Sequence, residues 1–306
     1  MNRRSFIIKS GLGALAATAV PELLFAAGSN SNSPKLKLLE EMSIYMSDQL
    51  KMNLAHNFYK KWTDDGFQWH YVIYFSESHK ICPAVYDRGY GFVHKNEVKE
   101  TVEKFSPSGF HSMVYKTVGT ASAQLSNRLL SYAPADLAFV AFHEGMHQHF
   151  RRRRRNQLPP LEMEEAASDV LGNYGALQFL QLHRKDFAPA KEHAIMYKEK
   201  LAEIINRFYW KVNERLPDKR TGHLYLRCQR EIRNTIQIDQ LFNLDRYLYP
   251  VNNAYLLRFS RYCLCYFILK EMLIEYNYEF GRWIEDVKYV RGSRVEECLE
   301  LIERIG

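Results

Sequence analysis

Two hydrophobic periods divide the chain. From Lys35 to Trp62 the positions Leu38, Leu39, Met42, Tyr45 and Met46 recur every three or four residues, which predicts a helix with one apolar face. The period then shortens. Trp69 to Phe75 is aromatic and β-branched, bounded by Gly66 and by Ser76-Glu77-Ser78, and reads as a strand. Gly89 to His94 and Phe110 to Val118 are shorter strand candidates between Gly- and Pro-containing turns. From Pro134 the helical period returns and holds over 134–152, 161–183, 190–215, 224–242, 252–278 and 281–304. Pro159-Pro160, Pro189, Pro217 and Pro250 punctuate these segments, because a residue without an amide N–H ends or opens a helix. The pattern predicts an α+β fold, mostly α, with a small mixed or antiparallel sheet preceding a helical half. Residues 29–133 and 134–306 are expected to form two parts of one continuous domain, without internal repeats.

The first 28 residues do not belong to that fold. Arg3-Arg4 precedes an apolar stretch from Gly11 to Ala27, followed by small residues, the layout of a signal peptide. Pro21 and Glu22 interrupt the stretch, so it is too short for a membrane span. The Arg-Arg-x-Phe-Ile pattern resembles the twin-arginine export signal and implies a periplasmic or other extracytoplasmic destination. Ser29 to Pro34 is a polar linker.

Charge changes the picture little. Of the formal +7, Arg3, Arg4 and Lys9 against Glu22 contribute +2, and the remaining +5 equals the run Arg151–Arg155 alone. Basic residues are not spread over a face, which argues against nucleic-acid binding. The run itself is most simply a solvated loop, with contact to an anionic surface or acidic substrate as the sharper reading. Five cysteines are too few and too scattered for a disulfide scaffold. Cys263 and Cys265, two apart on a helix, face away from each other.

The chemistry concentrates in His143-Glu144-Gly145-Met146-His147. Histidines four apart on a helix stack one turn above each other and can reach one ion, with Glu144 beside them as a proton acceptor. The preceding run Leu137–Phe142 is wholly apolar, so the helix is buried and its polar groups need partners. A pair of ordinary core histidines is the bland alternative. The next helix weighs against it, since a catalytic zinc takes three protein ligands and keeps one position for water. Glu165 follows His147 by 18 residues, enough to end one helix, turn, and start an antiparallel partner. Asp169 shares the face of Glu165 and can orient a histidine, while Ala166 and Ala167 permit close approach.

His-Glu-x-x-His followed at this distance by Glu165-Ala166-Ala167-Ser168-Asp169 resembles the gluzincins, the thermolysin-like zinc peptidases. The resemblance implies Zn2+ on His143, His147 and Glu165, Glu144 as general base, and Asp169 orienting a histidine. More of the chain, from about residue 109 to 270, is similar to a bacterial family described as predicted aminopeptidases. Thr117-Val118-Gly119-Thr120, Leu129-Leu130-Ser131-Tyr132, Asp136-Leu137-Ala138 and Val251-Asn252-Asn253-Ala254 with Tyr262 carry that likeness. Gly145-Met146 replaces the Leu-Ala usual there, and Glu164-Glu165 stands where Asn-Glu is typical, so Glu164 and Glu165 both stay open as the third ligand.

The expected activity is hydrolysis of a peptide or protein substrate by zinc-activated water. Tyr262, His223 and Tyr225 are candidate donors to the oxyanion. His149 lies on another helix face, and Asn252 and Asn253 are read as caps of the 252–278 helix. The Gly119–Ser131 stretch is a candidate edge for an extended peptide. Two other classes compete: a zinc-stabilised envelope protein that binds a partner without catalysis, and a metal-free helical module acting through Arg151–Arg155.

Overall fold

The computed structural model describes residues 33–56, 58–62, 69–85, 90–105, 109–118, 124–151, 159–216, 221–236, 249–290 and 300. The expected export signal, Arg152–Arg155, Cys298 and the ends of the helices expected over 224–242 and 281–304 lie outside the described residues.

Helix α1 (Pro34–Asp48) buries the five apolar residues that predict it. It stops well before Trp62. Lys51 takes a left-handed backbone (φ 54°), and the Met52 amide reaches back to the Met46 carbonyl at 3.0 Å, closing the helix end. Strands β1 (Trp69–Glu77), β2 (Tyr90–Val93) and β3 (Phe110–Val118) form an antiparallel sheet in the order β2-β1-β3, with α2 (Val98–Phe105) between β2 and β3 in the chain. Tyr74 pairs with Tyr90 and Met113, and Val72 pairs with Phe92 and Tyr115, so alternate residues share each face.

The helical half contains α3 (Asn127–Ser131), α4 (Pro134–Arg151), α5 (Leu161–Val170), α6 (Ala176–His183), α7 (Ala188–Asn213), α8 (Gly222–Ile236), α9 (Asn253–Cys263), α10 (Tyr266–Glu275) and α11 (Phe280–Tyr289). The fold is α+β and mostly α, as the periodicity predicts. The expected edge strand after Gly119 is not formed in its described part. Instead Ser126 caps α3, its hydroxyl accepting the Leu129 amide at 3.1 Å.

Two helices differ from expectation in instructive ways. The 161–183 segment is continuous, but Leu171–Gly175 is a π-helical turn joining α5 to α6. Gly172 lies there against α4, where an added Cβ would stand 2.9 Å from the Phe139 ring and 3.0 Å from its carbonyl oxygen. The 252–278 segment breaks at Leu264–Cys265, and the Asn206 side-chain amide donates to the Cys263 carbonyl at 2.7 Å. Cys82, Cys228, Cys263 and Cys265 are all free thiols.

One core cluster joins α1, α4, α5, α6, α10 and α11 around Met42, Met46, Phe142, Met146, Phe150 and Trp283. Each of these side chains is fully buried, worth roughly 1.5–3 kcal/mol for a side chain of this size. A second cluster lies between one sheet face (Val72, Tyr74, Met113) and α7, α8 and α9. The opposite sheet face, with Ile73 and Phe75, packs on α2. Helix α9 packs against α5, α7, β1 and β3 and so ties the sheet to the helical half. Its Asn252 cap accepts the Tyr255 amide at 2.9 Å and donates to the Ser112 carbonyl at 2.9 Å. Asn253 is not a cap; its side-chain amide donates to the Glu77 carbonyl at 2.8 Å.

Candidate metal centre

Helix α4 is fixed by its apolar side. Leu137, Ala138, Ala141, Phe142, Met146 and Phe150 are buried in the first core cluster, which leaves His143 and His147 directed at α5. The close crossing is made possible by small residues. Ala166 and Ala167 are wholly buried on α5, and Gly145 faces α1, where an added Cβ would meet the Met46 sulfur at 2.6 Å.

At this crossing the Nε2 atoms of His143 and His147 lie 3.1 Å apart. Glu165 Oε2 is 3.6 Å from the first and 3.4 Å from the second. The three donors form a triangle small enough for one metal ion to touch all of them, and they are the group among the described residues that could hold one. The outer nitrogens are also occupied. His143 Nδ1 lies 2.9 Å from Asp169 Oδ1, and His147 Nδ1 lies 2.7 Å from Glu164 Oε1. Each imidazole is thus steered by a carboxylate behind it, which fixes the tautomer that offers Nε2 to a metal. Ser168 sits behind His147 as well, its Oγ 3.5 Å from Nδ1.

The electrostatics follow from this crowding. Burial alone would lower the pKa of both imidazoles, but carboxylates outweigh it: Asp169 and Glu165 raise His143, and Glu164 and Glu165 raise His147 well above the usual value. Burial likewise pushes Glu165 up, yet the two histidines hold it well below the usual carboxylate range. Asp169 is lowered too, because Lys198 and His143 overcome its burial; Lys198 Nζ lies 2.7 Å from Asp169 Oδ2. Glu144 behaves in the opposite way. Burial raises its pKa against the pull of His147, His143 and Arg151.

The remaining expectations divide. Tyr262, on α9, stacks toward His143 with ring centroids 6.5 Å apart and 27° between planes. Its phenol is held neutral first by burial and then by Glu165, Tyr74 and Tyr115. His223 is a correction: it is exposed at the start of α8 with Nε2 3.5 Å from Arg215, and the structure does not bring it to the histidines. Tyr225 instead donates to Asn253 at the end of the sheet. His149 points away from the pair and accepts the Asn53 amide on Nδ1 at 2.9 Å. Lys198 escapes the motif: it comes from α7, far along the chain, and nothing in its surroundings marks it. Of the two acids left open as third ligand, Glu165 lies at the Nε2 atoms and Glu164 at the far nitrogen of His147, since adjacent helix positions diverge by about 100°.

Comparison with protein-family models, with curated proteins and with solved structures finds no match for this chain.

Proposed function

We propose that the protein is a zinc-dependent peptide-bond hydrolase. The observation that carries this reading is the triangle of donors. Zinc held at about 2.0–2.1 Å by a tetrahedral set has its ligand atoms roughly 3.3 Å apart. The edges here are 3.1, 3.4 and 3.6 Å. Two imidazoles and one carboxylate are a donor set that suits zinc, and three protein ligands rather than four leave a position for water. When bound, zinc supplies Lewis acidity and a water of lowered pKa.

The chain's own residues divide the other tasks. Asp169 and Glu164 hold the imidazoles in their orientation, and Lys198 braces Asp169. Glu144 accepts the water's proton and returns it to the leaving amine, a role favoured by a carboxyl whose burial raises its pKa toward neutrality. Tyr262 remains a protonated phenol and donates to the developing oxyanion. The double arginine near the N-terminus supports action outside the cytoplasm. The aminopeptidase resemblance favours peptides as substrates. A zinc-stabilised binding protein would have no use for the buried base Glu144.

Digestion of a peptide library by the zinc-loaded protein and by Glu144→Gln tests the reading. The wild type cleaves, and Glu144→Gln loses at least roughly a hundredfold in kcat while keeping its metal. Equal turnover in both, or none in either, rejects it.

A further inference from the structure

Helix α9 presents a second unusual group one turn before Tyr262. Arg258 is 96% buried by its 4% residual exposure, and its Nε and Nη1 have no hydrogen-bond partner. Among the described residues no carboxylate is in ion-pair contact with it. Its guanidinium carbon lies over the Tyr115 ring, 3.3 Å from the centroid, with the Tyr74 ring at 6.0 Å and the Phe259 ring at 4.7 Å. The next arginine, Arg261, is 97% buried by the same measure and rests 5.0 Å from Tyr74 and 5.1 Å from Tyr90. Arg261 donates to the Tyr74 hydroxyl at 3.4 Å.

Ring faces satisfy only the plane of a guanidinium. Its N–H groups point outward in that plane as a fork that matches a carboxylate edge-on. Arginine cannot relieve the strain of burial by giving up its proton, so an enclosed guanidinium with open donors is poised for an anion. The sheet shapes the place. Tyr74 and Tyr90 are paired across β1 and β2, and Tyr115 comes from the same face of β3. Tyr90, Tyr115 and Tyr262 are only partly buried, so the cluster reaches the surface. Tyr262 lies four residues, roughly 6 Å, along α9 from Arg258, and its ring is stacked toward His143.

We propose that Arg258, flanked by Arg261 and walled by Tyr74, Tyr90 and Tyr115, is a carboxylate-binding subsite beside the metal centre, and that the substrates are short peptides carrying a carboxylate close to the scissile bond. The identity of the ligand as a peptide rests on the hydrolase reading; the affinity for a carboxylate does not. Both a free C-terminus and an acidic side chain offer that group.

The test is binding to zinc-loaded Glu144→Gln protein, by calorimetry, of a neutral tripeptide with a free C-terminus, its C-terminal amide, and an amide ending in glutamate. The free acid or the glutamate amide should bind at least tenfold tighter than the neutral amide, and whichever does so identifies the source. Arg258→Gln should reduce that preference to less than twofold without weakening the neutral amide, and Arg258→Lys should recover part of it. Should Arg258→Gln fail to fold, the wild-type acid-to-amide ratio decides alone, and a ratio near one overturns the subsite. Cleavage of acid and amide alike, dependent on Glu144, would sink the subsite and leave the hydrolase standing. Carboxylate-selective binding without cleavage would do the reverse.

Discussion

Replacing Glu164 and Glu165 in turn by glutamine separates a metal ligand from the group that steers one. Glu164 makes a 2.7 Å contact with His147 Nδ1 and is mostly shielded, at 12% side-chain exposure. A hydrogen bond between charged groups in such a place is worth about 1.5–3 kcal/mol, which corresponds to roughly a tenfold to hundredfold change in an equilibrium constant. That is also the usual range for losing a partner behind a metal-bound histidine. Glu164→Gln keeps a carbonyl oxygen that can still accept from Nδ1, so its effect should fall at the lower end. Glu165→Gln removes an anionic donor from the metal itself and should weaken zinc by more than a hundredfold. Competition with a chromophoric chelator measures both, with circular dichroism to confirm that each variant is folded. If Glu164→Gln releases zinc more readily than Glu165→Gln, the assignment of inner and outer carboxylates is wrong.

Two further outcomes follow from the same geometry. In metal-free protein the raised imidazoles stabilise the fold fully below their unfolded value of about 6.5, and this is lost as pH rises through their native values. The lowered Glu165 and Asp169 stabilise above the unfolded carboxylate range and lose that as pH falls. Chelator-treated protein should therefore melt highest between about pH 5 and 6.5, whereas zinc affinity should rise with pH because binding releases protons; a chelator-treated Tm that climbs from pH 6.5 to 8.5 would contradict this. Gly172→Ala, which forces a Cβ against the Phe139 ring and backbone, should cost about 1–3 kcal/mol in urea unfolding. An unchanged midpoint would show that α4 and the π-helical turn after α5 can part without penalty.

The sequence made the helical half and the histidine pair of the candidate metal site readable because both rest on local spacing. The four-residue spacing of His143 and His147 fixes their stacking whatever surrounds them, and the apolar run before them fixes the buried face. Proline marked the breaks for the same reason. What stayed hidden depends on contacts between distant segments. The early end of α1 is set by Lys51 in a left-handed conformation, where no glycine announces the turn. The break after Cys263 is held by Asn206 from another helix. Lys198 reaches Asp169 from α7. His223 was a plausible donor by residue type alone, and the packing of α8 turns it to solvent. Arg258 and Arg261 look like the polar face of an ordinary amphipathic helix, yet α9 is buried almost all round because α5, α7 and the sheet enclose it.

X-ray absorption at the zinc edge of the loaded protein, paired with metal analysis, addresses the central claim without reference to any substrate. One zinc per chain is expected, with two imidazole nitrogens and oxygen from a carboxylate and water in its coordination shell, and with the imidazole signal lost in His143→Ala and His147→Ala. A chain that binds no zinc, or whose zinc keeps the same shell after both histidines are replaced, would contradict a metal site at the crossing of α4 and α5.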